Sequence, residues 1–203
     1  MRMKEVPIPH EFIQRIFRER VLTIRRMLKG DLSEKELYIE FLRHTPVIAT
    51  NGSAGLNAAV KGVGFVVKRD LLPETINSIK GFLKNNPSMK EALKFLLDNL
   101  YDEEKVDFTK LSTLELAKKH TYQNLSENKR AVLLFFIPPV TSYEVRCKVE
   151  IHLNDLYHEY VNAVHDLFHR PKGKRDWSKT PAYIFNIEEI YDNSSNRMGI
   201  KIY

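Results

Sequence analysis

Lys118, Lys119, His120 and Thr121 stand in a row in this 203-residue chain, with Tyr122 directly after them. Ammonium groups, an imidazole and a hydroxyl packed so closely suit one task above others. They can hold an anionic group such as a phosphate, above all where a helix begins and presents free backbone N–H groups. A second set of candidates is His158, His165 and His169. Histidines four apart on a helix can share a metal ion. The segment His165-Asp166-Leu167-Phe168-His169 is not, however, the His-Glu-x-x-His pattern of a zinc hydrolase, and no carboxylate stands ready as a third ligand. That stripe is expected to be a solvated or interface face without a metal. Cys147 falls on the apolar side of an alternating run, and no Ser-His-Asp set is visible, so nucleophilic catalysis finds no support. The glycines at Gly52, Gly55, Gly62 and Gly64 follow neither the dinucleotide-binding nor the P-loop pattern.

The basic, hydroxyl-bearing run leads through the short amphipathic piece QNLSENKR into an apolar strand, Ala131 to Ile137. After the Pro138-Pro139 break the chain returns as Tyr143 to Leu153. There Val145, Cys147, Val149 and Ile151 alternate with Arg146, Lys148, Glu150 and His152, the period of a strand with one buried face. This pair is the platform on which the cationic turn sits.

Ahead of it, Phe12, Ile16, Phe17 and Ile24 recur at helical spacing from about Pro9 to Lys29, with Arg15, Arg18, Arg25 and Arg26 on the opposite side and Gly30 as the stop. Ser33 and Glu36 form a capping box that opens a second helix, so residues from about 9 to 43 are expected to be helical. A strand from Val47 to Thr50, a turn at Asn51 to Gly55 and a returning strand from Leu56 to Lys68 follow. Gly62 and Gly64 inside that strand hint at a bulge or at close approach by another backbone or a ligand. A helical hairpin is inserted at about 71–104, with Pro73 at one start and a Ser88-Glu91 capping box at the other. Val106 to Phe108 reads as a short strand and Leu114 to Lys119 as a helical turn. Asn154 caps a helix to about Arg170. Pro171 to Thr180 is a basic loop, Pro181 to Ile190 the last substantial strand, and Met198 to Tyr203 a short edge strand.

Composition sets bounds on all this. Hydrophobic residues make up 43% and charged residues 29%, an ordinary globular balance. No apolar run approaches the roughly 20 residues of a membrane span, and the opening residues lack a signal-peptide core. One cysteine forms no internal disulfide, which suits a reducing compartment, and the cytoplasm is expected. The net charge of +6 favours an anionic partner, whether nucleotide cofactor or nucleic acid. The arginine face of the first helix is read as solvated rather than as a nucleic-acid surface. The expected fold is a single α+β domain over residues 1–203: a mostly antiparallel β-barrel with helices around it.

The run TYQNLSENKRAVLLFF resembles the segment of the pyridoxamine-5'-phosphate-oxidase-like, FMN-binding split-barrel superfamily in which a Ser/Thr/Lys-bearing turn before an Asn-Leu pair enters an apolar strand. FLRHTPVIAT resembles the helix and first strand of that superfamily, LNAAVKGVGFV its second strand and EVRCKVEIHLND a later one, in the same order. The resemblance implies a six-stranded split barrel that forms a homodimer with FMN at the subunit interface. It places Lys119, His120 and Thr121 at the phosphate turn, Asn57, Ala58, Ala59 and Val60 on the strand beside the flavin, and Glu144 where the oxidases carry a flavin-contacting glutamine. It departs from the oxidases in having His-Thr for their Arg-Lys phosphate pair, Val149 for a common glycine, and no Arg-x-His substrate pattern in the tail. The function it implies is that of an FMN-dependent oxidoreductase acting on a small substrate or redox partner. The alternative is a non-catalytic nucleotide- or nucleic-acid-binding protein on the same barrel.

Overall fold

The computed structural model describes residues 7–169 and 175–203. The N-terminal helical run comprises α1 (His10–Ile13), a π-helical turn (Gln14–Arg18) and α2 (Glu19–Lys29). It ends at Gly30, whose φ of 74° costs glycine nothing. Phe12, Ile16, Phe17 and Ile24 are buried as the spacing predicts, and so is Arg20, four residues from both Ile16 and Ile24. Both capping boxes form: Ser33 opens α3 (Glu34–Phe41) and Ser88 opens α5 (Met89–Asn99). Together with α4 (Leu72–Leu83), α5 is the inserted helical hairpin. No helix among the described residues is long and apolar enough to cross a membrane.

The remaining elements are β1 (Val47–Thr50), β2 (Asn57–Val60), β3 (Gly64–Val67), β4 (Val106–Leu114), α6 (His120–Glu127), β5 (Arg130–Ile137), β6 (Thr141–His152), α7 (Leu156–His169), β7 (Ala182–Asp192) and β8 (Ile200–Lys201). The strands form one antiparallel sheet in the order β2-β1-β5-β6-β7-β4-β3, with β8 added to β7. The single returning strand expected from Leu56 to Lys68 is in fact two strands at opposite ends of this order. β2 pairs with β1 and β3 with β4, and only residues 61–63 lie between them. Lys61 and Val63 donate their N–H groups to Pro46 and His44 on one side, while the Thr113 hydroxyl donates to the Gly62 carbonyl on the other, at 2.6 Å. One unbroken stretch of chain therefore touches both ends of the sheet and curls it. No ladder joins β2 to β3, so the described strands make an open, curled sheet rather than a hydrogen-bonded closed barrel. Of the two readings of Gly62 and Gly64, a bulge lies just beyond them, between Phe65 and Val66, whereas the close approach of another backbone is absent, since a Cβ at either glycine would meet nothing within 4 Å.

Two cores flank the sheet. Inside the curl, Phe12, Ile48, Leu111, Leu133, Phe135, Val145, Tyr183 and Phe185 pack together. On the outside, Ala182 and Ile184 meet α2, α4, α5 and α7 through residues such as Ile24, Leu72, Ile79, Leu96 and Leu167. β7 is thus the wall between them, and this is why AYIF is apolar at every position rather than at alternate ones. A bulge opposite Arg146 and Cys147 shifts the register, which lets Ile187 and Ile190 both point inward although they are three positions apart.

Other boundaries differ from those expected. β4 runs over nine residues instead of three, because Leu111 and Leu114 supply opposite cores. Residues 115–119 form a loop, not a helical turn, and α6 starts after it. Asn154 is not the cap of α7: it holds a φ of 63°, and Asp155 Oδ1 instead accepts the His158 N–H at 2.9 Å. The expected basic loop lies partly outside the described residues, and its Arg175 is spent internally on Asp166, Asn162 and Thr180.

Candidate functional site

The turn that carries the cationic run is anchored by a residue outside it. Glu115, directly after β4, is buried and accepts hydrogen bonds from the N–H groups of Ala117 and Lys118 at 2.9 and 2.8 Å. The Tyr183 hydroxyl donates to it at 3.0 Å, and Lys61 Nζ lies 3.1 Å away. Burial alone would raise the Glu115 pKa. The charge and hydrogen bond of Lys61, with the N–H groups of Lys118 and Ala117, outweigh burial and hold it below the usual carboxylate value. The carboxylate so fixed folds the chain back at Lys118, whose φ is 50°, and delivers Lys119 to the N-cap of α6.

Lys119 makes no side-chain cap. Consequently the N–H groups of His120, Thr121 and Tyr122 have no acceptor among the described residues, which is the usual state of a helix start open to an anion. Lys119 and His120 are exposed beside it, and Lys118 Nζ stands 6.0 Å from the Tyr122 ring.

The body of α6 clamps the β1–β2 turn. Asn124, fully buried, accepts from Ala54 N–H at 3.0 Å and donates to the Gly55 carbonyl at 2.7 Å and to Thr50 Oγ1 at 3.3 Å. Glu127 accepts from the N–H and hydroxyl of Ser53, and Asn128 donates to the Asn51 carbonyl. The approach is so close at Gly52 that a Cβ there would come within 2.9 Å of the Asn124 backbone. Asn57 Nδ2, at the start of β2, donates to Thr121 Oγ1 at 3.0 Å. A strand and a helix start that are 64 residues apart in sequence are in this way held together.

The expected site residues therefore fall into separate groups. Asn57, Lys119, His120 and Thr121 meet at the start of α6. Ala58 and Val60 are exposed on the outer face of the sheet, while Asn57 and Ala59 are partly buried on the other face, so Asn57 to Val60 do not line one surface. Glu144 lies in line with Leu134, Val47 and Val60 across the sheet, about 10 Å along the strands from the row of Thr50. It accepts from Arg146 at 2.7 Å. Glu115 and Lys61 were not singled out by sequence reasoning, and Asn124 entered only as the Asn of the Asn-Leu pair in the resembling run. The histidine stripe does not converge either. His158 is buried against the Trp177 carbonyl, His165 and His169 stack with ring centroids 4.4 Å apart, and among the described residues no three metal-binding side chains gather. Cys147 is buried as expected, and burial raises its thiol pKa.

No protein-family model matches the sequence, and no curated protein matches it significantly. Solved structures do match. HupZ of Group A Streptococcus superposes with a TM-score of 0.50 at 13% identity, over 85% of this chain and 99% of its own. A pyridoxamine 5'-phosphate oxidase-related, FMN binding protein of Nostoc punctiforme gives 0.43 at 8% identity, over 86% and 82%, and an F420 reductase gives 0.44 at 14%, over 74% and 91%. Other structural neighbours are described as a pyridoxamine 5'-phosphate oxidase or as FMN-binding proteins. The likeness is one of fold, and the resemblance read from the sequence holds at that level.

Thr121 now has a defined structural role. It is buried at the second position of α6 and does not cap the helix. Its oxygen accepts from Asn57, which leaves its proton free to donate. Thr121→Val is expected to cost about 1 kcal/mol of stability, because Asn57 loses its shorter bond. It should also weaken any phosphate held at the helix start. Urea unfolding checks the first effect, and an unchanged midpoint would show that the Asn57 contact contributes nothing.

Proposed function

We propose that the chain binds FMN, or a related phosphate-bearing flavin, with the phosphate at the start of α6. The observation that carries this reading is the uncapped first turn of α6, flanked by Lys118, Lys119 and His120 and fixed to β2 through Asn57 and Thr121. N–H groups, ammonium groups and a hydroxyl with a free proton are a donor set for a phosphate dianion, and none of them carries a negative charge that would repel it. A bound flavin would supply hydride or electron transfer. The chain's part is to bind and orient it: the phosphate on the α6 turn, and the ring over the outer sheet face that Ala58, Val60, Leu134 and Glu144 share.

The same face explains the proposed homodimer. Val60, Leu134 and Phe136 are 66%, 40% and 51% exposed, an apolar surface that a second copy would cover. The finer proposal is an oxidoreductase acting on a small substrate in the cytoplasm. A nucleic-acid role draws less support, because the arginine face of the first helix is largely neutralised. Arg15 pairs with Glu19, Arg18 with Glu103, and Arg26 with Glu36.

Titration of the purified protein with FMN, followed by quenching of flavin fluorescence, tests the reading. We expect saturable quenching that changes little with ionic strength, and sedimentation of the same samples as a dimer. Absence of quenching, with tight oligonucleotide binding that falls steeply with salt, would replace the flavin reading with the nucleic-acid one.

A further inference from the structure

Arg20 is a buried cation with no counter-ion among the described residues. Its side chain lies inward from α2, with the residue only 6% exposed, and its Nε is enclosed without a hydrogen-bond partner. The terminal nitrogens are not fully enclosed, yet they too donate to no described residue, and Arg20 makes no ion pair among the described residues. Nearby carboxylates are already engaged. Glu19 pairs with Arg15 and Arg43, and Glu40 takes Arg43 at 2.6 Å and the Thr23 hydroxyl at 2.6 Å.

Beside Arg20 stands a second unsatisfied group. Arg20 Cζ is 5.9 Å from the centroid of the Phe41 ring, Phe41 packs on His44 at 5.3 Å, and His44 Nδ1 is likewise buried without a partner. The two residues meet burial differently. Burial, then the charge of Arg20, lowers the His44 pKa to about 3, so the imidazole escapes by staying neutral. A guanidinium has no such exit, because it does not lose its proton in proteins. A lone buried charge is costly unless paired, and the partner this one lacks is an anion.

We propose that Arg20 and His44 together form the receptor for a small oxyanion, a carboxylate or a phosphate group. The planar fork of the guanidinium presents paired N–H groups at the spacing of two oxygens of one anion. Neutral His44, in the tautomer protonated at Nδ1, would add an N–H donor without demanding a charge of its own. Phe41, 47% exposed, borders both groups. The site is distinct from the α6 turn: His44 precedes β1, whereas Thr50, at the far end of β1, contacts Asn57 and Asn124. It does not rest on the flavin reading.

The test is thermal unfolding of the full chain in sodium chloride, with phosphate or acetate substituted at matched ionic strength, for the wild type and for Arg20→Met. Wild-type Tm is expected to rise saturably, on the order of 4 °C at anion concentrations well above Kd, and Arg20→Met is expected to show no such rise. The anion giving the larger shift identifies the class. Equal rises in both proteins would be a general salt effect and would overturn the proposal. So would an Arg20→Met penalty that stays the same at every anion concentration, which marks a packing role only. Should the variant not fold, the imidazole resonances of wild-type His44, assigned through His44→Gln, decide the matter. A saturable shift with phosphate or acetate supports the site, and no shift at tens of millimolar refutes it.

Discussion

Replacing Glu115 by alanine is expected to lower the unfolding free energy by about 3–5 kcal/mol, the largest effect of any substitution considered. The side chain is 2% exposed and its partner Lys61 17%, so solvent screens the pair only weakly. Alanine would strand the Lys61 ammonium together with the Tyr183 hydroxyl and the N–H groups of Ala117 and Lys118. Glu115→Gln separates charge from shape. Because the folded carboxylate has a lowered pKa, its contribution is present in full above the unfolded value of about 4.5. It is lost as the pH falls through the lowered folded value. Wild type should therefore lose stability on acidification over that window, and the glutamine variant should lose less. Urea unfolding from neutral pH downward measures both, and an alanine midpoint equal to that of wild type would remove Glu115 as the anchor of the turn.

Asn124→Ala should follow in magnitude, at about 2–3 kcal/mol. It deletes the bonds to Ala54, Gly55 and Thr50 from a fully buried position. It also releases the β1–β2 turn from α6, so the Asn57 to Thr121 contact loses its support. On the flavin reading, FMN affinity should fall at least tenfold, which equilibrium fluorescence quenching would show alongside the shift in unfolding midpoint. Lost stability with full FMN affinity would mean that the turn and the phosphate site are independent.

Much of the frame was legible because it rests on local rules. The capping boxes at Ser33 and Ser88, the Gly30 stop and the alternation of Val145, Cys147 and Val149 each depend on residues close in sequence. The division of Leu56 to Lys68 into two strands was not legible, since which sheet edge each half meets is fixed by β1 and β4, far away in the chain. The same distinction holds for the site. Lys119, His120 and Thr121 stand out as neighbours, but Glu115 and Asn124 read as ordinary polar residues until Lys61, Tyr183 and the β1–β2 turn are folded against them. Arg20 is a different case. Its spacing from Ile16 and Ile24 puts it on the buried face, and only its charge argued against that placement.

β7 separates the two cores and has no solvent side over Ala182 to Phe185. Most strands of a curled sheet can loosen on one face while the other stays packed, and exchange their amide protons through that local opening. This stretch of β7 has no such route: exposing it means parting it from the interior aromatic cluster and from the helical layer at once. For these residues local and global unfolding become the same event. Because Tyr183 hangs from this stretch and holds Glu115, the turn at the start of α6 is tethered to the least labile part of the molecule.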